Sequence, residues 1–232
     1  MLSILNLLSM IYKVKPYKPE IYVSDTQTKK KYYRIGEKIT YDVRLGRLNL
    51  GKAKFSHLGM TQLNKRAAHL MTFETDIIRF HDLERIYSDP NSFLPLRVER
   101  DISMWPNSEK IIEEYDQEKF TLTINKRKGR HQKQSIIKKN GPTYSAILLP
   151  YYIRNIPELQ IGWSMDVTLP NQKFKIKLAS IEDIEVPAGK FNAYRFESDP
   201  RKFEVWISTD DRRIPLKIKG SGNYILLMRE YN

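Results

Sequence analysis

The sequence contains no cysteine, which excludes disulfides, thiolate metal sites and a cysteine nucleophile. Acidic residues are scarce relative to basic ones: 27 Asp and Glu stand against 40 Lys and Arg, which leaves a formal net charge of +13. Such an excess attracts polyanions, namely nucleic acid, anionic lipid headgroups or acidic glycans. Charge alone does not choose among these three partners.

The N-terminal apolar run, Met1–Tyr12, is too short to span a bilayer. It has about the length of the apolar part of a secretory signal, but no Lys or Arg precedes it and no small-x-small cleavage site follows it. Two interpretations stay open on the sequence. The run is either a truncated signal segment or a short helix or strand packed on the domain.

Short segments with strand character fill most of the remaining chain. In Ile39–Leu45 apolar and polar residues alternate with a period of two, which predicts a strand with one buried face. Gly46 and Gly51 then punctuate a hairpin into Ala53–Leu58. Similar runs recur at Ala68–Thr75, Leu94–Ile102, Lys110–Tyr115, Phe120–Ile124, Phe174–Leu178, Ala193–Glu197, Phe203–Ile207, Leu216–Lys219 and Tyr224–Met228.

This pattern predicts an all-β, mainly antiparallel fold of a dozen or so strands. A sheet of that size is expected to curve strongly or to close, because a long open sheet leaves exposed edges. A chain of 232 residues can form one β domain. We therefore expect an apolar segment and basic lead-in over residues 1–34, followed by a single β-rich domain over residues 35–232.

One segment departs from the strand pattern. Thr143–Asn155 is densely apolar, with Ala146, Leu149 and Ile153 at helical spacing, and this predicts a helix packed on the sheet. Pro150 lies inside the segment, so the helix either starts near Leu149 or kinks there.

Several motifs occur in an order that resembles a known bacterial family, domain of unknown function 3108. They extend over nearly the whole predicted domain, roughly from Ile35 to Glu230, and no single one is specific. The motifs are Gly36–Arg44, Leu45-Gly46 with Leu50–Ala53, Tyr87–Asp89 with Phe93–Arg97, Tyr151–Arg154, Val186–Phe191 and Trp206–Pro215.

The resemblance implies an exported protein, often periplasmic, with no established activity. It also implies a strongly curved sheet, similar to the lipoprotein-carrier folds of the bacterial envelope, which encloses an apolar cavity beneath a helix. The leading hypothesis is accordingly a non-enzymatic envelope protein that binds an apolar or amphipathic ligand, either a lipid or a lipidated peptide. It rests on an analogy of folds.

A pocket for an acyl chain is lined by aromatic side chains and carries a few polar groups at its mouth. Arg154, at the end of the predicted helix, is the candidate for the mouth, and its alternative role is a salt bridge that anchors the helix. The predicted ligand-binding residues are Tyr151, Tyr152, Arg154, Trp163 and Trp206.

The most basic stretch, Lys126–Lys139, contains no acidic residue and no Phe, Trp or Tyr. Nucleic acid is not the expected partner, because single-strand binders interleave aromatic residues for base stacking. The stretch is either a solvated hairpin tip or a surface that contacts anionic lipid. The alternative function is thus a scaffolding module that meets an anionic partner through Lys126, Arg127, Lys128, Arg130 and Lys133.

No pattern supports a catalytic, metal or cofactor site. The spacing of His57, His69, His81 and His131 fits no compact metal motif,. Asp210-Asp211 precedes two arginines and predicts a turn rather than a carboxylate pair, and the adjacent Glu113 and Glu114 point to opposite faces of a strand. A cell-wall glycan enzyme is therefore the third hypothesis, and the oligomeric state stays open.

Overall fold

The structure is a computed structural model that describes residues 33–220 and 222–232. The apolar run Met1–Tyr12 and most of the basic lead-in lie outside the described residues. The described chain is all-β with one short helix, as predicted. Its elements are β1 (Lys38–Leu45), β2 (Leu48–Leu63), β3 (Arg66–Ile77), β4 (Phe80–Ser88), β5 (Pro95–Met104), β6 (Asn107–Asp116), β7 (Thr121–Lys128), β8 (His131–Lys138), α1 (Leu149–Arg154), β9 (Ser164–Thr168), β10 (Lys173–Val186), β11 (Gly189–Asp199), β12 (Glu204–Ser208), β13 (Pro215–Lys219) and β14 (Tyr224–Tyr231).

The strands form a single antiparallel sheet of 14 strands. Its order is β8-β7-β6-β5-β4-β3-β2-β1-β14-β13-β12-β11-β10-β9, so two meanders meet where β1 pairs with β14. The sheet is curled rather than closed, and β8 and β9 are its edges. The segment 139–148 runs from one edge to the other: the Lys139 amide donates to the Phe120 carbonyl oxygen, and the Tyr144 amide to that of Thr168.

Strand β1 shows why the sequence folds in this way. Ile39, Tyr41 and Val43 are buried, as the alternation predicts,. Leu45, which lies on the same face at the end of the strand, is exposed. Gly51 on β2 has φ +149°, and a Cβ atom there would lie 2.2 Å from the Asp76 carbonyl oxygen. Only glycine allows the two strands to approach so closely.

Helix α1 begins at Leu149, with a proline in its first turn. The first helical amides have no partner within the helix, so Pro150 costs no hydrogen bond there. Of the two predicted alternatives, the start near Leu149 is therefore confirmed. Leu149 and Ile153 pack against Val205 and Ile207 of β12 in one apolar cluster.

Strand β12 is buried on both faces, since all of its residues are buried. Val205 and Ile207 face α1, so the alternation of the strand directs Trp206 to the opposite face. The hairpin of β10 and β11 covers that face: the Trp206 indole donates to Glu182 at 2.7 Å, and the Ala188 amide donates to the Met228 carbonyl oxygen. Two layers thus sandwich β12.

Candidate functional site

Arg154 is completely buried. Its guanidinium donates to both carboxylate oxygens of Glu37, at 3.0 and 2.9 Å, and to the Arg212 carbonyl oxygen at 2.8 Å. It therefore joins α1 to the start of β1 and to the β12–β13 turn. This is the anchoring role, and the side chain does not lie at the mouth of a pocket.

The four aromatic residues predicted to bind a ligand have different neighbours. Tyr151 stacks on Phe55, with ring centroids 4.1 Å apart. Tyr152 contacts the ring of Tyr144, and Trp163 contacts the ring of Phe196. The Trp206 ring lies against the cations of Arg195 and Lys217. Tyr151 and Trp206 belong to one apolar cluster, against which Tyr152 packs, whereas Trp163 packs against the cluster that contains Leu149 and Ile153.

A pocket of about 240 Å³ lies near the start of β10 and the end of β11. Its walls are polar and charged rather than aromatic, and none of the predicted ligand-binding residues contributes to it. The lining residues are Lys177, Glu197, Ser198, Asp199 and Arg201.

The five predicted cationic residues lie together on the hairpin of β7 and β8, residues 121–138, which we call the basic hairpin. All five are exposed. Lys126 lies directly opposite Lys133 in the ladder, and the nearest acidic contact of this pair is Glu109, 3.9 Å from the Lys126 ammonium. The hairpin ends the sheet, with β8 as its edge strand and β7 as the next strand inward, and the cations on both strands are exposed to solvent.

Sequence reasoning missed a group of charges on β4, β5 and β6, which we call the charged cluster. Of its residues, Asp82 and Arg100 are buried, and Glu84 and Glu113 are half-buried. Arg100 bonds to Asp82 and lies 3.3 Å from a Glu84 oxygen. Glu113 accepts a hydrogen bond from Tyr115. One oxygen of Asp82 is buried without a hydrogen-bond partner. Such an arrangement is costly, since each buried charge loses its hydration.

A signal for the charged cluster is present in the sequence. Phe80, Asp82, Glu84 and Ile86 follow one another at every second position, so a strand there must direct its carboxylates to the same side as its apolar residues. Burial, together with the charges of Asp82 and Glu113, raises the pKa of Glu84 to about 7, although the attraction of Arg100 lowers it.

Two buried histidines form a second polar contact in the interior. The His57 Nε2 and His69 Nδ1 atoms are 3.1 Å apart, and the Tyr33 hydroxyl lies 3.4 Å from the other nitrogen of His69. Burial, helped by His69, lowers the pKa of His57 to about 4. His131 is exposed in the basic hairpin, and in the described part of the chain no three His, Asp or Glu residues gather in a metal-binding arrangement.

The charged cluster predicts a pH dependence of stability. The ordinary pKa of the Glu84 carboxyl is 4.5, so between about pH 4.5 and 7 the folded state holds a proton that the unfolded state has lost. The contribution of Glu84 to the free energy of unfolding is then fully present below pH 4.5 and is lost as the pH rises through 7. Glu84→Gln should reduce this loss when urea unfolding is compared at pH 5 and pH 8.

His57 changes the free energy of unfolding in the opposite direction. Because its pKa is lowered from 6.5 to about 4 in the folded state, the unfolded state binds more protons between these pH values, and stability rises with pH there,. The informative quantity is therefore the difference between the wild type and Glu84→Gln at each pH. A difference that stays constant between pH 5 and pH 8 would contradict a raised Glu84 pKa.

The carboxylates predicted to form turn and strand positions do so. Asp210 accepts hydrogen bonds from the backbone amides of Arg212 and Arg213 and from the Ser208 hydroxyl. Glu114 is exposed, whereas Glu113 points toward Tyr115 on the other face. The acidic pair Asp210-Asp211 thus belongs to a local turn.

The sequence matches the model of a family described as a protein of unknown function, DUF3108, over residues 40–225. The chain belongs to the DUF3108 family. No curated protein matches this DUF3108 protein. The family has no assigned activity, so the match identifies the fold group and leaves the function open.

Two solved structures are similar to this DUF3108 protein. One is a β-barrel-like protein of domain of unknown function 1849 from Brucella abortus, with 7% identity, a TM-score of 0.50, and coverage of 85% of this chain and 97% of the other. The second is a Bacteroides fragilis protein, described as exported and YmcC-like in fold, with 8% identity, a TM-score of 0.29, and coverage of 86% and 96%. The first supports the curled β architecture. Within residues 33–220 and 222–232, no helix has the length and apolar character needed to cross a bilayer.

Proposed function

We propose that this DUF3108 protein is a non-enzymatic, exported module that contacts an anionic partner through the basic hairpin. The observation that carries the proposal is the pair Lys126 and Lys133, which lie directly opposite each other in the ladder. Like charges at such positions destabilise a hairpin. An anionic partner bound to this face would remove the repulsion, and that gain would favour binding.

Protection of the sheet edge accounts for part of this charge. Lysine on an edge strand opposes pairing with another chain, which explains Lys133 and Lys138 on β8. It does not explain Lys126, Arg127 and Lys128, because these residues lie on β7, an inner strand. The cations of β7 therefore support a contact with an anion.

Binding of an apolar or amphipathic ligand inside the sheet stays a prediction. The residues expected to line the site are packed on protein groups, as Tyr151 is on Phe55, so a ligand would have to displace these contacts. Native mass spectrometry of the protein purified from its own envelope fraction tests this function. A stoichiometric lipid mass would support the internal ligand, and a bare polypeptide that takes up no lipid on incubation would contradict it.

The basic hairpin can be tested with a charge-matched pair of variants. One variant replaces Lys126, Arg127, Lys128, Arg130 and Lys133 with glutamine. The control replaces five exposed lysines elsewhere with glutamine, namely Lys54, Lys65, Lys175, Lys190 and Lys202. Affinity for a fluorescent polyanion such as heparin is measured by anisotropy at increasing salt.

The hairpin variant should bind at least about tenfold more weakly than the control, since each cation close to an anionic surface contributes on the order of 1 kcal/mol. Its binding should also depend less steeply on salt. Equal losses in the two variants would show that net charge alone attracts the polyanion, and the proposed function would then be wrong.

A further inference from the structure

The three most exposed large apolar side chains of the described residues are Trp105, Ile78 and Leu48, at 79%, 74% and 66%. Ile78 lies in the β3–β4 turn and Trp105 in the β5–β6 turn, while Leu48 follows the β1–β2 turn. Singly exposed apolar residues are ordinary on protein surfaces. Here, however, all three lie at hairpin tips.

These tips share one end of the sheet. In a meander, alternate turns fall at the same end, so the tips of β1–β2, β3–β4, β5–β6 and β7–β8 are neighbours. Phe80 pairs with both Ile77 and Met104, so the turns with Ile78 and Trp105 end within about one residue of each other along the strands. They are two strands apart, or roughly 10 Å.

The same four turns contain no acidic residue, and three of them contain cations. Residues 44–51, 77–81, 103–108 and 125–134 lack Asp and Glu. Arg47 and Arg79 add exposed positive charge beside the basic hairpin. The turns at the opposite end of the sheet, by contrast, carry Asp89, Asp116 and Glu118. The three most exposed apolar side chains and a group of turns whose only charged residues are cations therefore meet at one end of the sheet, whereas the turns of the other end carry both signs of charge.

Turn geometry does not account for the residue types. Two-residue hairpin turns favour Gly, Asn and Asp, because these residues tolerate positive φ. In the β3–β4 turn the two positions are Ile78 and Arg79, and Arg79 has φ +61°, a conformation that side chains such as arginine seldom adopt. The chain thus keeps an arginine at a position where glycine or asparagine would be more stable,.

We propose that this end of the sheet docks on an anionic lipid bilayer. Leu48, Ile78 and Trp105, which we call the apolar tips, enter the headgroup region while the basic hairpin contacts lipid phosphates. Tryptophan favours the membrane interface, and apolar burial combined with attraction to anionic lipid is the usual basis of peripheral binding. The apolar tips favour a lipid bilayer as the partner, because a polyanionic glycan or a nucleic acid backbone offers them no apolar environment. The inference rests on the proposed function and specifies its partner.

Sedimentation with lipid vesicles tests the inference. The vesicles contain either phosphatidylcholine alone or phosphatidylcholine mixed with phosphatidylglycerol. The tip variant carries Ile78→Ser and Trp105→Ser. Its control carries Leu58→Ser and Ile161→Ser, which replace side chains that are 55% and 64% exposed on other parts of the surface.

The wild type and the control should bind the mixed vesicles and neither should bind phosphatidylcholine alone. The tip variant should bind the mixed vesicles about tenfold more weakly or worse, given the apolar area that it removes. Tryptophan emission of the wild type should shift to shorter wavelength on binding. In Trp105→Phe that shift should disappear while most of the binding remains, because Trp206 is already buried and Trp163, on β9's side of the sheet, packs against Phe196.

The possible failures are distinguishable. If the tip variant binds like the wild type while the hairpin variant does not, the apolar docking is wrong and the proposed function stands. The same conclusion follows if the wild type ignores mixed vesicles but binds a polyanion through the basic hairpin. If the hairpin variant and its charge-matched control bind vesicles and polyanion equally well, both proposals are wrong.

Discussion

Arg154→Met is expected to lower the free energy of unfolding by about 3–5 kcal/mol, because it leaves the Glu37 carboxylate buried without its counter-charge. Both side chains of the pair are fully buried. The same substitution removes the bond to the Arg212 carbonyl oxygen, which joins the helix to the β12–β13 turn. Urea unfolding of the purified variant measures the loss.

Two further variants make the result specific. The double substitution Glu37→Leu with Arg154→Met should recover much of the lost stability, because no buried charge is then left alone. Arg212→Met removes an exposed arginine that pairs with Asp210, and it should cost at most about 1 kcal/mol. An Arg154→Met variant as stable as Arg212→Met would show that the buried pair does not anchor the helix.

Arg100→Met should have an effect of similar size at pH 8, about 3–5 kcal/mol, since the carboxylates of the charged cluster lose the cation between them. Arg100 bonds to Asp82 and approaches Glu84. The loss should shrink as the pH falls toward 5, because Glu84, whose pKa is raised, takes up a proton and no longer repels Asp82 and Glu113,. Unfolding in urea at both pH values measures the two losses.

A matched control is available on the other face of β4. Arg85 pairs with Asp101 at 3.0 Å, and both side chains are more than a third exposed. Arg85→Met should therefore cost at most about 1 kcal/mol at either pH. If the loss in Arg100→Met were the same at pH 5 and pH 8, it would reflect packing of the long side chain rather than its charge.

Local signals in the sequence predict the elements of the fold. The period of two in Ile39–Leu45 and the glycines after it predict the first hairpin, which the ladder between β1 and β2 confirms. Pro150 leaves two alternatives for the helix, a start near Leu149 or a kink, and the structure shows the start. These features depend on residues a few positions apart, so the sequence displays them directly.

The long-range contacts could not be predicted in the same way. Glu37 and Arg154 are 117 positions apart, and neither residue type indicates the other. Trp206 counts as an aromatic candidate in any survey of the sequence, but only the fold shows that β12 is covered on both faces. The apolar tips are ordinary residues until the strand order brings their turns to one end of the sheet.

The order of the sheet also bears on how the chain folds. Lys38 and Asn232 are hydrogen bonded, so joining residue 232 to residue 38 and opening the chain within 139–148 would make every strand pair with its neighbour in sequence. The sheet is in this sense a circular permutation of a simple meander. Hairpins close short loops and form early, whereas Asp42 and Arg229, 187 positions apart, must meet across a long one. Closing the β1–β14 seam therefore carries the largest loop-closure entropy cost of any strand pair in the sheet, and residues 139–148 link the two meanders that it joins,.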